Sequence, residues 1–428
     1  MNKVAERLNE MLKESIFSAF LSEYGQRLYF PQEIIAQKRE AKQKATQYNA
    51  TLDRATDKEE PMYFDAIKEQ FDACLPAKSI FTPVQAGGKP QLQKLWGKKM
   101  LLKNPSLEKA NISTPLLTGG KTSALNIIAS LFIDEGDTVL LPNLSEENYH
   151  IIIRERKARS HHYPLFSHNH FNTQGIEDAI NLSKQNKIIL ILNFPNNPAG
   201  YSPTKKEAEE IQKSIISQAQ KGKKILVITD DTSFGLFYEE NVWQESLFAP
   251  LCQADKNILC VKIDSITEEE MAWGFCLACI TFGSLGVTEE IYGAIEQKVM
   301  GAIQATGSYC STPDQNIILK AMKSNEYAVQ KKINMITLAL RYKQLKEALA
   351  RHKDDDILVP LPCNSGYYMT LSTPHDANQL RVYLLEQYQI GVLAIEEHLL
   401  CITFAAIEKE DIGPLIDCIY KAAHEIFE

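Results

Sequence analysis

Side-chain amides follow an apolar segment in the sequence IILILNFPNNPAGYSPT, which begins at Ile188. The first five residues are apolar without a break, which is typical of a strand covered on both faces in a parallel sheet. Asn193, Asn196 and Asn197 then supply amide donors, and two prolines restrict the backbone that carries them. Open α/β sheets bind ligands beyond the carboxyl ends of their strands. We therefore interpret this segment as a binding loop, although a lone Asn-Pro turn more often only reverses the chain.

The elements around this loop alternate between strand and helix. TPLLTGGKTSALNIIASLF is typical of a strand, a glycine loop and a helix, and KKILVITDD predicts a strand that ends at Asp230. This alternation predicts an α/β fold with a mainly parallel sheet and helices on both faces. We expect a helical N-terminal arm over residues 1–60, a large α/β domain over 61–312 and a smaller α+β domain over 313–428.

The composition limits the classes of partner. A net charge of −8 and a pI near 5.7 give no electrostatic signature of nucleic-acid or anionic-membrane binding. No apolar run approaches the roughly 18 residues of a membrane span, and the first residues lack a signal-peptide core. The nine cysteines are an odd number without framework spacing. We predict a cytoplasmic protein that binds neither nucleic acid nor membrane, and we identify no metal site.

Several motifs together carry a family resemblance. NFPNNPAGY, ITDDTSFGLFYEE, VKIDSITEEEMAWGFCLACITFG, NSGYYMTL and LLCITFAAIEKEDI occur in the order and spacing of the class I/II aminotransferases of pyridoxal phosphate (PLP) fold type I. The resemblance covers nearly the whole chain. It implies a large domain with a seven-stranded, mainly parallel sheet, a small α+β domain built from both termini, and a homodimer with its active sites at the interface.

Three cofactor-binding features of that family are kept. The resemblance implies that Asn197 donates to the phenolic oxygen of PLP and that Asp230 pairs with the pyridine nitrogen, which makes the ring an electron sink. It also implies that the glycine loop with Gly120, Lys121 and Thr122 binds the phosphate through backbone N–H groups at a helix N-terminus.

The main departure from the family falls on the lysine that forms the Schiff base and then moves the proton. In the family this lysine follows a threonine, and an arginine that pairs with the phosphate stands eight residues later. Aligned through Thr267, these two positions are Glu268 and Cys276, so the spacing is kept while both chemical groups are gone.

Four further positions of the same site also depart. The tyrosine that would follow the pyridine-binding aspartate is Ser233, and the aromatic ring that would stack on the cofactor is Glu146. The arginine that would bind a substrate α-carboxylate is Cys401, and a glycine of the N-terminal substrate loop is Asp53. Each lost arginine removes a fixed charge and a bidentate donor, whereas the new glutamates add negative charge near an anionic cofactor.

These losses share one site, so they do not support ordinary transamination. The leading hypothesis is a pseudoenzyme, a binding or regulatory homodimer that holds PLP or pyridoxamine phosphate (PMP) weakly and non-covalently, or else phosphate or no cofactor. One alternative is a PMP-type enzyme in which Glu268 moves the proton, and another is an aminotransferase that uses Lys262. For Lys262 the more frequent situation is a strand-edge lysine in a surface ion pair.

A residual phosphate site is the final expectation. Ser265 stands where related enzymes place a phosphate-binding hydroxyl, so Lys121, Thr122 and Ser265 could rebuild a phosphate site without Cys276. The alternative for Lys121 is a solvent-facing lysine at a helix start. We expect Glu146 and Glu268 to repel anions mainly at the ring end of the pocket, and we expect a small phosphorylated or amino-acid-like ligand.

Overall fold

Seventeen strands are present in the part of the chain that the computed structural model describes, namely residues 3–13, 21, 23–27, 33–58, 60–72 and 75–428. In chain order they are β1 (Tyr48–Asn49), β2 (Thr56–Asp57), β3 (Glu60–Pro61), β4 (Leu116–Thr118), β5 (Thr138–Pro142), β6 (Arg159–Tyr163), β7 (Phe166–Ser167), β8 (His170–Phe171), β9 (Lys187–Asn193), β10 (Lys224–Asp230), β11 (Ile258–Ser265), β12 (Ala278–Gly283), β13 (Val359–Pro360), β14 (Met369–Ser372), β15 (Ile390–Gly391), β16 (Leu393–Ile395) and β17 (Leu399–Ile402).

The α-helices of the same described ranges alternate with these strands or cover them. They are α1 (Lys3–Leu12), α2 (Glu23–Arg27), α3 (Glu33–Lys44), α4 (Asp65–Asp72), α5 (Ala77–Phe81), α6 (Pro90–Lys103), α7 (Lys121–Phe132), α8 (Glu147–Glu155), α9 (Thr173–Leu182), α10 (Lys205–Gln220), α11 (Phe248–Leu251), α12 (Ile266–Glu269), α13 (Glu289–Thr306), α14 (Thr312–Ala321), α15 (Asn325–Ala350), α16 (Ala377–Gln387) and α17 (Lys409–Phe427). Two short 3₁₀ helices cover Pro105–Leu107 and Phe404–Ala406.

The central sheet has seven strands in the order β4-β12-β11-β10-β9-β5-β6. β12 runs antiparallel to both of its neighbours, and the other hydrogen-bonded pairs are parallel. The predicted α/β fold with a seven-stranded, mainly parallel sheet is therefore confirmed. Asn193 and Asp230, the last residues of β9 and β10, are directly paired, so the predicted binding loop and the aspartate share one edge of the sheet.

Helices cover both faces of this sheet. Leu190 and Leu192 of β9 pack into a core with α9 and α10, whereas Ile189 and Ile191 pack into a second core with α7 and α13. This division follows from the alternation of side chains along a strand, and it explains why β9 is apolar throughout. The α7 face is the one that carries the candidate site.

A smaller sheet, in the order β13-β14-β17-β16, packs with α15, α16 and α17. The N-terminal segment joins this unit, because β1 pairs in parallel with β15 and the amide of Gln37 in α3 bonds the backbone of Ala394 at 2.9 and 3.0 Å. Both ends of the described chain thus contribute to the smaller unit, as the family resemblance implies.

Neither a membrane helix nor a metal cluster is found in the described ranges. Across them, no helix is both long and apolar enough to cross a membrane. The same residues contain no group of three or more histidine, cysteine, aspartate or glutamate side chains placed to hold a metal ion.

Candidate functional site

The glycine loop begins the site at the N-terminus of α7. Gly120 adopts φ +85°, a conformation that favours glycine, and a Cβ built on it would lie 3.7 Å from the Cβ of Cys276. The position that replaces the phosphate-binding arginine therefore does lie against the loop, and Cys276 is exposed. No described residue accepts a hydrogen bond from the backbone N–H groups of Lys121, Thr122 or Ser123, which are left to a ligand or to water.

The side chain of Lys121 is held by Glu146. Its Nζ lies 2.5 Å from Glu146 Oε1, and the two side chains are only 13% and 15% exposed. Burial lowers the pKa of Lys121, but the carboxylates of Glu146, Asp230 and Glu268 outweigh this effect and raise it. The solvent-facing alternative for Lys121 is wrong. The Glu146 carboxylate thus neutralises the cation of the predicted phosphate site.

Asp230 is fully buried and already has two donors. The Tyr149 hydroxyl donates to its Oδ2 at 2.5 Å, and the backbone N–H of Thr232 donates to its Oδ1 at 3.2 Å. Burial, followed by the neighbouring Asp230 carboxylate, raises the pKa of Tyr149, so the phenol stays a donor. A carboxylate offers about four lone-pair sites, and these two donors therefore leave part of the acceptor capacity of Asp230 unused.

Glu268 lies in the short helix α12 at the end of β11. The Ser265 side chain caps this helix by accepting from the Glu268 N–H at 3.4 Å, and the Tyr367 hydroxyl donates to the Glu268 carbonyl at 3.1 Å. Its Oε2 is buried and has no hydrogen-bond partner. Burial raises the pKa of Glu268 to about 7, opposed by Lys121 and assisted by Asp230 and Glu146.

Lys262 lies on the other face of the sheet. Asp230 pairs with Ile263, so Asp230 projects on the same face as Ile263 and Ser265, whereas Lys262 projects on the opposite one. There it is 0% exposed and forms ion pairs with Asp231 at 2.8 Å and with Asp264. The expected surface ion pair is therefore wrong. A lysine on the opposite face is also badly placed to replace the missing one.

The Asn-Pro loop reaches the same edge as Asp230. The Asn193 amide donates to the Asp230 carbonyl at 3.1 Å, and its oxygen accepts from the Asn197 N–H at 2.8 Å. In the described chain the Asn197 side chain makes no hydrogen bond, and the residue is partly exposed. Its amide is thus held by a fixed backbone and is available to a ligand.

The position expected to carry the arginine that binds a substrate carboxylate holds a buried cysteine. Cys401 is buried with its Sγ 3.9 Å from the Pro198 carbonyl, and burial raises its pKa to about 12. Lys38 is an electrostatic neighbour of Cys401, but its ammonium binds the Asp53 carboxylate, with 2.6 Å to Oδ2. Cys401 and Asp53, two of the departures from the family found in the sequence, are therefore neighbours in the structure.

Ser233 opens onto a separate cavity of about 220 Å³. Phe64, Tyr367 and the charged side chains of Lys103 and Glu269 also line it. Glu269 belongs to a buried cluster with three lysines, Lys99, Lys103 and Lys331, at 2.6–3.2 Å. Consecutive residues of α12 thus serve different places: Glu268 the candidate site and Glu269 this cluster.

Sequence reasoning missed Tyr149 and Tyr367 as members of the site. Tyr149 follows Glu146 by three residues, the spacing of neighbours on one helix face, which would have placed it beside the same pocket. Tyr367 lies in the quoted motif NSGYYMTL, but that motif gives no indication that its hydroxyl reaches the backbone of α12.

The family model described as aminotransferase class I and II matches residues 64–419. Because this match covers more than half of the 428 residues, the chain belongs to the class I and II aminotransferase family.

Individual relatives are distant in sequence. A curated relative, the probable aspartate aminotransferase of Methanocaldococcus jannaschii, is 22% identical over 268 residues, which cover 62% of this chain and 65% of that protein. The aminotransferase of Anaerococcus prevotii has a similar structure, with a TM-score of 0.81 at 18% identity over 94% of this chain and 98% of that one. The Pyrococcus horikoshii kynurenine aminotransferase, solved in complex with PMP, has a TM-score of 0.79 at 13% identity. The match covers 97% of this chain and 100% of that one. At these identities the structural likeness shows the fold.

The family implies PLP or PMP as the cofactor, and some of the described residues fit that group. Asp230 has remaining acceptor capacity, and the first N–H groups of α7 have no acceptor in the described chain. Against this, a buried carboxylate oxygen without a partner stands where a covalent linkage needs an amine.

Proposed function

We propose that this protein is an aminotransferase homologue that has lost lysine-dependent transamination and binds a small ligand non-covalently at the retained cofactor-site residues. In this proposal it acts as a binding or regulatory protein and is a cytoplasmic homodimer. The observation that carries the proposal is the pair formed by Glu268 and Lys262. A partnerless carboxylate occupies the lysine position, and the nearest lysine along the chain is tied to two aspartates on the opposite face of the sheet.

The retained residues bind and orient a ligand. The N–H groups that begin α7 favour an anionic group such as phosphate, helped by the helix dipole. Asp230, oriented by Tyr149, would accept a hydrogen bond from a protonated ring nitrogen, and the Asn197 amide would donate to a ring oxygen. When PLP or PMP is bound, its ring supplies an electron sink. Glu146 neutralises the Lys121 ammonium beside these N–H groups. We therefore expect anions to bind only weakly there.

A second candidate is a lysine-independent enzyme in which Glu268 moves a proton. A general acid or base works best when its pKa lies near the working pH, and burial raises the pKa of Glu268 to about 7. The lost arginine at Cys401 and the Lys38–Asp53 ion pair weigh against it, because neither Cys401 nor the paired Lys38 offers a free cation to an amino-acid substrate.

A single-turnover experiment separates the two candidates. Protein loaded with PMP is mixed with a panel of 2-oxo acids, and the near-ultraviolet band of PMP is followed. The leading proposal expects no conversion of PMP to PLP. Conversion would overturn it, and abolition of that conversion in Glu268→Gln would then establish the second candidate.

A further inference from the structure

A cavity of about 220 Å³ lies beside α12 and apart from the expected cofactor residues. Apolar residues form much of its wall, namely Phe64, Phe234, Leu236, Met271 and Met335. The described residues that line it include neither the glycine loop nor Asp230 nor Glu268. A ligand in this cavity would therefore occupy a place separate from the expected cofactor site.

Charged side chains belong to the same wall. Lys103 and Lys331 both line the cavity, and both ammonium groups bind the carboxylate of Glu269, at 2.6 and 3.2 Å. Because they share this carboxylate, the three charged groups lie together at one part of the wall. The side chains of Lys103 and Lys331 are 21% and 24% exposed, so water reaches this part of the cavity.

The buried cluster around these residues has more cations than anions. Glu269 also binds Lys99 at 2.8 Å, and Glu270 binds Lys99 and, at 3.1 Å, Lys331. Three ammonium groups thus share two carboxylates, which leaves a formal charge of +1. Burial and repulsion from neighbouring lysines lower the pKa of Lys99 and of Lys103 in spite of the glutamates. An additional anion would therefore stabilise the cluster.

A neighbouring group of charges does not supply that anion directly. Lys262 with Asp231 and Asp264 has one cation and two anions. The ring of Phe234 contacts both groups, since its centroid lies 5.0 Å from Lys103 Nζ and 5.2 Å from Lys262 Nζ. Within the described residues no ion pair joins the two groups. The attraction of Asp264 on Lys103 therefore acts over a longer distance, and burial outweighs it.

Lys103 also has a donor to spare. An ammonium group has three N–H donors. In the described chain the hydrogen bonds of the Lys103 ammonium go to the two oxygens of Glu269, at 2.7 and 2.6 Å, so one donor is left for water or a ligand. Because Lys103 lines the cavity, a ligand there can accept from it.

We propose that this cavity binds a small organic acid with an apolar body. The carboxylate of the acid accepts from Lys103 and neutralises the charge excess, and charge-assisted hydrogen bonds of this kind are the stronger ones. The apolar body packs against the apolar wall. A phenyl ring fits there, because a cavity of about 150 Å³ is sufficient for benzene. The inference goes beyond the proposed function, since it needs neither a cofactor nor a reaction.

Three probes test the inference by isothermal titration calorimetry. Sodium benzoate has both the ring and the carboxylate, benzamide has the ring without the charge, and sodium acetate has the carboxylate without the ring. We expect benzoate to bind about tenfold or more tightly than benzamide, because of the charge-assisted hydrogen bond. It should also bind about tenfold or more tightly than acetate, because the ring is buried. Saturation with PMP should leave the benzoate affinity unchanged, because the cavity is apart from the cofactor residues.

Lys103→Met is the decisive variant. It removes the spare donor and the excess cation, and it leaves two lysines to balance two glutamates, so the fold should persist, as circular dichroism checks. Benzoate should then bind about tenfold more weakly and lose its preference over benzamide. Lys109→Met, a change at an exposed lysine, should keep both.

Three results would overturn the inference. They are equal binding of benzoate and benzamide by the wild-type protein, a preference for benzoate that survives in Lys103→Met, and competition between PMP and benzoate. The comparison of benzoate with benzamide on the wild-type protein decides the matter even if the variant does not fold. None of these results bears on the loss of lysine-dependent transamination, which the borohydride experiment tests separately.

Discussion

Replacing Glu268 by glutamine should stabilise the protein increasingly as the pH rises from about 4.5 to 7, and by the full amount above neutral pH. Burial raises the pKa of this carboxyl group from 4.5 to about 7 on folding. Each pKa unit corresponds to about 1.4 kcal/mol, so ionised Glu268 costs the folded state about 3 kcal/mol before solvent screening. Because the residue is partly exposed, we expect about 2 kcal/mol.

The sign follows from proton linkage. Between pH 4.5 and 7 the folded protein binds a proton at Glu268 that the unfolded chain has released. The contribution of Glu268 to the free energy of unfolding is therefore largest below pH 4.5. This contribution falls as the pH rises from 4.5 and is lost once the pH passes 7. Glutamine is neutral at every pH, and Glu268→Gln therefore resembles the protonated wild type. It should have nearly the wild-type free energy of unfolding at pH 4.5 and exceed it by about 2 kcal/mol at pH 8.

Urea unfolding of ligand-free protein at a series of pH values measures this difference. The control is Glu240→Gln, in which an exposed glutamate is changed, and its free energy of unfolding should match the wild type at each pH. If Glu268→Gln is no more stable than the wild type at pH 8, or if its advantage is the same at pH 4.5, then Glu268 is not a strained buried carboxylate and the reasoning fails.

Lys262→Met should destabilise the fold by about 3–5 kcal/mol in urea unfolding, since it leaves the buried carboxylates of Asp231 and Asp264 without a cation; unchanged stability would contradict the described ion pairs. Lys121→Ala should weaken the binding of inorganic phosphate about tenfold, and Glu146→Gln should strengthen it about tenfold by freeing the ammonium. If calorimetry shows neither change, α7 is not a phosphate site. The protein should be a homodimer at micromolar concentration, because a family-type interface far exceeds the ~1,600 Å² of a standard contact; a monomer in light scattering would count against it.

The fold could be predicted from the sequence because its signals are local and repeated. The apolar run of β9, the strand that ends at Asp230 and the glycine loop before α7 each predicted an element, and the structure has all three. Their meeting at one sheet edge follows from the geometry of parallel strands, whose carboxyl ends lie side by side. The order of these motifs also carried the family resemblance, which the matched family model confirms.

The direction and partners of the side chains could not be predicted in the same way. Lys262 was expected at the surface because lysine usually is exposed, and only the register of β11 with β10 shows that it is buried on the other face. The Lys121–Glu146 ion pair joins residues 25 positions apart, one at the start of α7 and one just before α8, so no local spacing reveals it. Buried ion pairs depend on tertiary packing, which a single sequence does not display.

The most direct measurement of the central claim is the mass of the intact protein after incubation with PLP and reduction by borohydride. With Glu268 in the lysine position and Lys262 on the opposite face, the wild-type mass should stay unchanged. Glu268→Lys serves as the positive control, and it should gain the mass of one pyridoxyl phosphate. A stoichiometric adduct on the wild-type protein, mapped to Lys262 or to another lysine of the pocket, would contradict the loss of covalent chemistry.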